Sequence, residues 1–200
     1  MTEVITVLII VITLFSLLQY GFLISYSSLA AEYAASQFKG HDIREYPLHK
    51  LNLNGCRGCM ACRKTEKCVI KDDMQAVYED VVTSDFIIFA SPVYCFDTGS
   101  NFSTMFERFY PMAGGGPAEG IKYYYRHPKK DCMLILSSGA PAIAAGLVRK
   151  RMRRCFRMSG FHNLGIVNVD MTYFQKEYSL APKQKKKIDR ICRKQLTRFN

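Results

Sequence analysis

A chain of 200 residues with 48% hydrophobic and 22% charged residues has the composition of one globular domain, which excludes disordered, collagen-like and disulfide-framework classes. Its 28 Lys/Arg against 17 Asp/Glu give a net charge of +11, which admits an anionic ligand, nucleic acid or an acidic membrane surface without choosing among them. The excess is uneven, because residues 149–200 hold 15 Lys/Arg against Asp170, Glu177 and Asp189, leaving the first 148 residues close to neutral.

In chain order, the first feature is a run of 28 residues without formal charge, 4–31, long enough to cross a bilayer. Residues 4–13 are almost all β-branched, however, and Ser16, Gln19, Tyr20, Gly21, Ser25, Ser27 and Ser28 dilute the remainder of the run. Neither a basic leader nor a Lys/Arg cluster frames the stretch. The reading is a buried strand over 4–12 followed by a helix, with a membrane span as the disfavoured alternative. Further strands are expected over 42–48, 86–91, 132–137 and 164–169, and helices over 27–38, 72–83, 101–110, 143–158 and 182–199, from the spacing of apolar residues. Strict alternation of strand and helix implies an α/β domain with a five-stranded parallel sheet and helices on both faces. Ligands of such sheets bind beyond the carboxyl ends of the strands. The whole chain, 1–200, reads as a single domain with a cysteine-rich insert at 54–70.

That insert carries the strongest chemical signal. Cys56, Cys59, Cys62 and Cys68 are spaced C-x2-C-x2-C-x5-C. Thiolates donate strongly to iron and zinc, and three cysteines at successive short spacings let one tight loop face a single cluster. Zinc sites more typically separate two pairs by a longer insert, so iron–sulfur is preferred. Zinc and a cysteine loop that holds no metal remain the competing readings, and disulfides are the weakest. Cys132, Cys155 and Cys192 read as small buried or half-buried hydrophobes. Cys95 follows the third strand, where the fold puts its ligand, and either faces a cofactor or serves as a spacer. His41, His49, His127 and His162 are scattered and read as surface or structural residues. Asp72 and Asp73 read as the opening of the following helix. No nucleophile–base or paired-carboxylate site emerges.

The segments Asn54-Gly-Cys-Arg-Gly-Cys-Met-Ala-Cys62, Cys68-Val-Ile-Lys-Asp-Asp-Met74, Ser84-Asp-Phe-Ile-Ile-Phe-Ala-Ser-Pro-Val-Tyr94 and Phe106-Glu-Arg-Phe-Tyr110 resemble the NAD(P)H-dependent FMN reductase group of the flavodoxin-like superfamily, and within it the iron-sulfur flavoproteins. The resemblance implies a doubly wound sheet in the order 2-1-3-4-5 and FMN at the carboxyl edge. It further implies a 4Fe-4S cluster on Cys56, Cys59, Cys62 and Cys68, electrons from NAD(P)H or a reduced carrier, and a homodimer or higher oligomer in the cytoplasm with the cysteine segment near the flavin. Ser91, Pro92, Val93, Tyr94, Cys95 and Phe96 are then the expected flavin wall, with Tyr94 and Phe96 as stacking rings. Ser137, Ser138 and Gly139 provide small residues for close approach. The implied function is an FMN-dependent oxidoreductase passing electrons to an acceptor the chain does not name.

The resemblance fails after the first strand. The family carries a Gly-Ser-x-Arg loop there for the FMN phosphate, whereas residues 11–23 read VITLFSLLQYGFL. The family's lysine before the Phe-Glu-Arg motif is also missing, with Ser103 and Thr104 in its region. Ser16, Ser27 and Ser28 are weak substitute phosphate ligands. FMN binding is therefore expected to be weakened, and the alternative is a flavodoxin-like metal-binding or membrane-tethered protein that has lost FMN. Nucleic acid is disfavoured as a partner, because the basic tail lacks interleaved aromatic residues.

Overall fold

The computed structural model describes residues 6–11, 25–114, 124–172 and 178–199. Its elements are β1 (Thr6–Val11), α1 (Tyr26–Ala35), β2 (Asp42–Pro47), α2 (Ala61–Thr65), α3 (Met74–Thr83), β3 (Phe86–Tyr94), β4 (Asp97–Thr98) and α4 (Ser100–Glu107). After these come β5 (Ala113–Gly114), β6 (Tyr124–Tyr125), β7 (Lys130–Ser137), α5 (Gly146–Met158), β8 (Phe161–Val169) and α6 (Pro182–Phe199). The five long strands pair in parallel in the order β2-β1-β3-β7-β8, the doubly wound order expected. Strand β1 is paired on both sides, with Val7 opposite Ile43 and Phe86. The ends of the expected first strand, residues 4, 5 and 12, lie outside the described residues, as do Ser16 and the departing loop. Among the described residues no helix is long and apolar enough to cross a membrane.

Phe86–Ala90 is apolar at every position because both faces of β3 are covered. The two faces are filled differently. One packs α3, α4 and α5 through aromatic residues, with Phe89 meeting Phe102, Phe106, Phe156 and Phe161 at ring-centroid distances of 5.3–6.0 Å. The other receives α1 through Ala30, Ala31, Ala34 and Ala35, and α6 through Ile188, Ile191 and Cys192. Gly165 on β8 is what lets α6 come this close: a Cβ there would fall 2.5 Å from the Ile191 side chain.

The sequence reading places the last strand three residues late. Helix α5 stops at Met158, Gly160 turns the chain at φ +79°, and Phe161 enters the aromatic core at once. Only glycine adopts that φ without strain, and a Cβ would also meet the Tyr125 and His127 rings at 2.9–3.0 Å. Gly160→Ala is expected to cost about 1–3 kcal/mol, lowering the thermal midpoint by roughly 2–4 °C per kcal/mol. Calorimetry showing an unchanged midpoint would contradict this account of the turn.

Candidate functional site

At the carboxyl edge of the sheet, β3 and β7 end side by side, with Pro92 opposite Ser137. This register brings both expected flavin segments together. Ser91 is buried and works inside the fold: its Oγ accepts the Gly99 N–H at 3.1 Å, tying the start of α4 to β3, and donates to the Pro92 carbonyl at 2.8 Å. Val93 pairs with Thr98 and Tyr94 with Asp97, so Cys95 and Phe96 form a two-residue hairpin turn. Both have positive φ, 48° and 63°. Such turns favour Asn-Gly, and a bulky side chain there is strained. The turn is fastened by Asp97 to Arg151 of α5. It leaves Phe96 66% exposed, with Tyr94 also exposed beside it: aromatic faces with open access, as a flat ligand requires. Across the edge, Ser138 donates its hydroxyl to the Ala140 carbonyl at 2.8 Å and its N–H to the Val169 carbonyl at 2.9 Å, which fixes the Ser137–Ser138–Gly139 turn.

Helix α1 starts at the same edge. Ser25 is its cap, the Oγ accepting the Ser27 N–H at 3.3 Å and lying 2.6 Å from the Ser27 hydroxyl. Ser28, also in the first turn, is buried, and its Oγ has no hydrogen-bond partner among the described residues. An unsatisfied buried hydroxyl beside the positive end of a helix suits a phosphate oxygen. One of the N–H groups of this first turn is already engaged by Ser25.

The cysteine loop leaves the sheet after β2. Gly58, Met60 and Glu66 have φ of 64°, 58° and 59°, which turn the loop back on itself around the short α2. Cys56, Cys59, Cys62 and Cys68 all line one cavity of about 190 Å³, closed by Arg108, Tyr110 and Pro111. All four are free thiols. Burial pushes the Cys62 thiol up, and its neighbours Cys68, Cys56 and Cys59 push it further. Among the described residues no three donors already stand at metal-binding spacing.

Two arginines hold this loop. Arg108, with 1% of its side chain exposed, pairs with the fully buried Asp72 through two contacts, Nη1 to Oδ2 at 2.8 Å and Nη2 to Oδ1 at 3.1 Å. The same guanidinium donates to the carbonyls of Asn54 (2.7 Å) and Ile70 (3.4 Å), the two ends of the insert. Asp72 accepts the Asn54 N–H at 2.9 Å in return, so one ion pair closes the neck of the loop. Burial works to raise the Asp72 carboxyl, but the bonds from Arg108 and Asn54 outweigh it and hold it below the usual carboxylate range. Tyr78 donates to the Arg108 carbonyl, and Cys68 lies close enough to act on both residues. Arg126 grips the far side through the carbonyls of Cys62 (3.1 Å) and Pro111 (3.0 Å). The Arg108 Nε is buried without a hydrogen-bond partner among the described residues. Four thiols lining one cavity, beside the buried Arg108 guanidinium, fit an anionic metal–sulfur cluster.

The expected residues therefore form two groups: the flavin segments meet at the carboxyl edge, while the cysteines line a cavity that none of residues 91–96 or 137–139 borders. Cys132 and Cys192 are buried and Cys155 half-buried, as read from the sequence. His127 is structural, its ring nitrogens 2.7 and 3.1 Å from the Pro128 and Ser159 carbonyls. Asp72 does meet the helix it precedes, through the Met74 N–H at 3.3 Å, but its larger role is with Arg108. Sequence reasoning missed Arg108 as a residue of the site. Its only signal was its place in the Phe-Glu-Arg segment.

Residues 21–169 match the family described as NADPH-dependent FMN reductase. An iron-sulfur flavoprotein of Methanocaldococcus jannaschii is 33% identical over 82 residues, 40% of this chain and 41% of that protein. One of Archaeoglobus fulgidus is 32% identical over 84 residues, 42% and 38% of the two. The matches thus span less than half the length of these curated relatives. Among solved structures, the FMN-dependent NADH-azoreductase of Bacillus anthracis str. Ames Ancestor, in complex with FMN, superposes with a TM-score of 0.66 at 10% identity, covering 98% of this chain and 100% of that one. An azoreductase of Bacillus anthracis str. Sterne gives 0.61 at 14%, covering 98% and 96%. At these identities the likeness is one of fold.

Proposed function

The chain belongs to the NADPH-dependent FMN reductase family, and from that premise we propose that it is an FMN-dependent oxidoreductase with an iron–sulfur centre on Cys56, Cys59, Cys62 and Cys68. The observation that carries the second half is the cavity that all four thiols share. When bound, FMN supplies a ring that takes a hydride from a nicotinamide and gives up electrons singly or in pairs. Tyr94 and Phe96 would flank that ring, Ser137, Ser138 and Gly139 would approach it with backbone, and the Ser25–Ser28 turn would offer the phosphate only a weak substitute for the family's loop. The cluster would relay single electrons, held by the loop that Arg108 and Arg126 fasten. The protein's part is to orient the ring and tune its potential, and no side chain is assigned as general acid or base. Reduced thiols fit a cytoplasmic setting, and a homodimer belongs to the same proposal.

An ultraviolet–visible spectrum of anaerobically purified protein tests the reading: two resolved flavin bands over a broad brown shoulder are expected, with bleaching by NADPH. A colourless protein that takes up neither FMN nor iron would overturn it. Because the Gly-Ser-x-Arg loop is absent and Ser25 engages the Ser27 N–H, phosphate contacts are reduced. Charge-assisted hydrogen bonds contribute about 1.5–3 kcal/mol each, so losing two weakens FMN binding by roughly two to four orders of magnitude. Titrating apo protein with FMN and with riboflavin is expected to give affinities that differ little. A strong preference for FMN would show that another cradle has replaced the lost loop.

A further inference from the structure

Helices α5 and α6 cover opposite faces of the sheet, yet both pack on β8, the strand at its end. Together they carry fourteen Lys/Arg and one carboxylate, Asp189. Their inward positions are apolar apart from Gln184 and Gln195 and hold no Lys or Arg, so the cations project from the remaining faces. Solvated helices normally interleave both signs. Here only Arg151 and Arg198 reach a carboxylate among the described residues, Asp97 and Asp131, while Asp189 accepts the Tyr33 hydroxyl at 3.0 Å. Across the end of the sheet, Arg149 and Arg153 of α5 act on Lys187 of α6, as does Arg190 one turn further on, and with burial they disfavour its charge. Packed on the two faces of β8, the two helices border this end strand with cations, and together these form a cationic rim. Arg149 lies in the first turn of α5, and Lys187 and Arg190 in the first half of α6. Each helix starts from the carboxyl edge of the strand before it, so the rim stands beside the edge where Ser137, Ser138 and Gly139 lie.

We propose that this rim is the docking surface of an acidic protein that exchanges electrons with the site at the adjacent edge; the partner's redox chemistry rests on the flavoprotein reading. Charge complementarity identifies the partner's sign. The exposed Ile143 and Leu147 at the start of α5 identify it as a protein, since aliphatic side chains among arginines suit a protein interface. Single-stranded nucleic acid would call for exposed aromatic residues, and the exposed tyrosines and Phe96 lie on neither helix; duplex binding is an outcome of the test below.

The test titrates the full chain with an acidic plant-type ferredoxin as probe, with and without added FMN, at low and at physiological ionic strength. Wild type should bind more weakly as salt rises, and R149E/R153E/K187E/R190E should lose roughly tenfold or more of the low-salt association rate. The milder pair K187E/R190E should show an intermediate loss, which keeps the result readable if the fourfold variant folds poorly. Reduction by NADPH should not change in either. Equal ferredoxin binding by wild type and both variants would overturn the docking surface, as would tighter binding of random-sequence duplex DNA than of ferredoxin. Binding is read without flavin as well, so a flavin-free protein that binds ferredoxin through these residues would sink only the flavoprotein reading. An NADPH-reducible protein indifferent to the substitutions would sink only the docking surface.

Discussion

Replacing Asp72 by alanine is expected to destabilise the protein by about 3–5 kcal/mol, because it leaves the Arg108 guanidinium buried without its counter-charge. The loss is larger than for a surface pair because 1% of the Arg108 side chain and 0% of the Asp72 side chain are exposed. It is also local: Asn54 loses the acceptor of its N–H, and the neck of the cysteine loop opens. Urea unfolding should therefore report a lower midpoint, and the loop thiols should be alkylated faster below that midpoint. Gly160→Ala, remote from the loop, should lower stability without speeding alkylation. The pair also gives stability a pH dependence of definite sign. The folded Asp72 carboxyl titrates below its unfolded value near ~3.9, so its contribution is complete above that pH and is lost as pH falls through the lower folded value. If D72A unfolds at the wild-type urea concentration, the ion pair is not what closes the neck.

Each of the changes Cys56→Ser, Cys59→Ser, Cys62→Ser and Cys68→Ser should lower iron and acid-labile sulfide severalfold after anaerobic reconstitution, since each removes one thiolate from a shared cavity. Folding should survive, because none of the four is fully buried. D72A should lower iron too, as the cavity depends on the neck. Wild-type iron in all four variants, or zinc in place of iron in the wild type, would refute the iron–sulfur assignment.

The sheet was legible because a central parallel strand advertises itself: Phe86–Ala90 has no polar residue to suggest an exposed face, and the run at 4–13 is too β-branched to favour a helix. That Cys56, Cys59, Cys62 and Cys68 share one cavity was legible from their spacing. Arg108 was not. Its partner Asp72 is 36 residues away in sequence, and both residue types belong by default on the surface, so nothing local marks them as a buried pair. Strand β4 was missed for a related reason. Its turn is Cys95–Phe96 rather than Asn-Gly, and the conformation is imposed by ties to β3 and to Arg151 that sequence does not display.

The alanine face of α1 has an evolutionary consequence. A helix whose inward side chains are methyl groups sits close to its sheet, so the height of its first turn above the carboxyl edge is set from behind, by Ala30, Ala31, Ala34 and Ala35, none of which has ligand chemistry. The chemistry of the preceding loop and the position of the helix end are then separately heritable. Substitutions can erase the phosphate loop of a lineage while the helix end at Ser25–Ser28 stays where it was. Recovery needs only a new loop, not a new fold, which makes cofactor affinity in such a chain easy to lose by drift and correspondingly easy to restore.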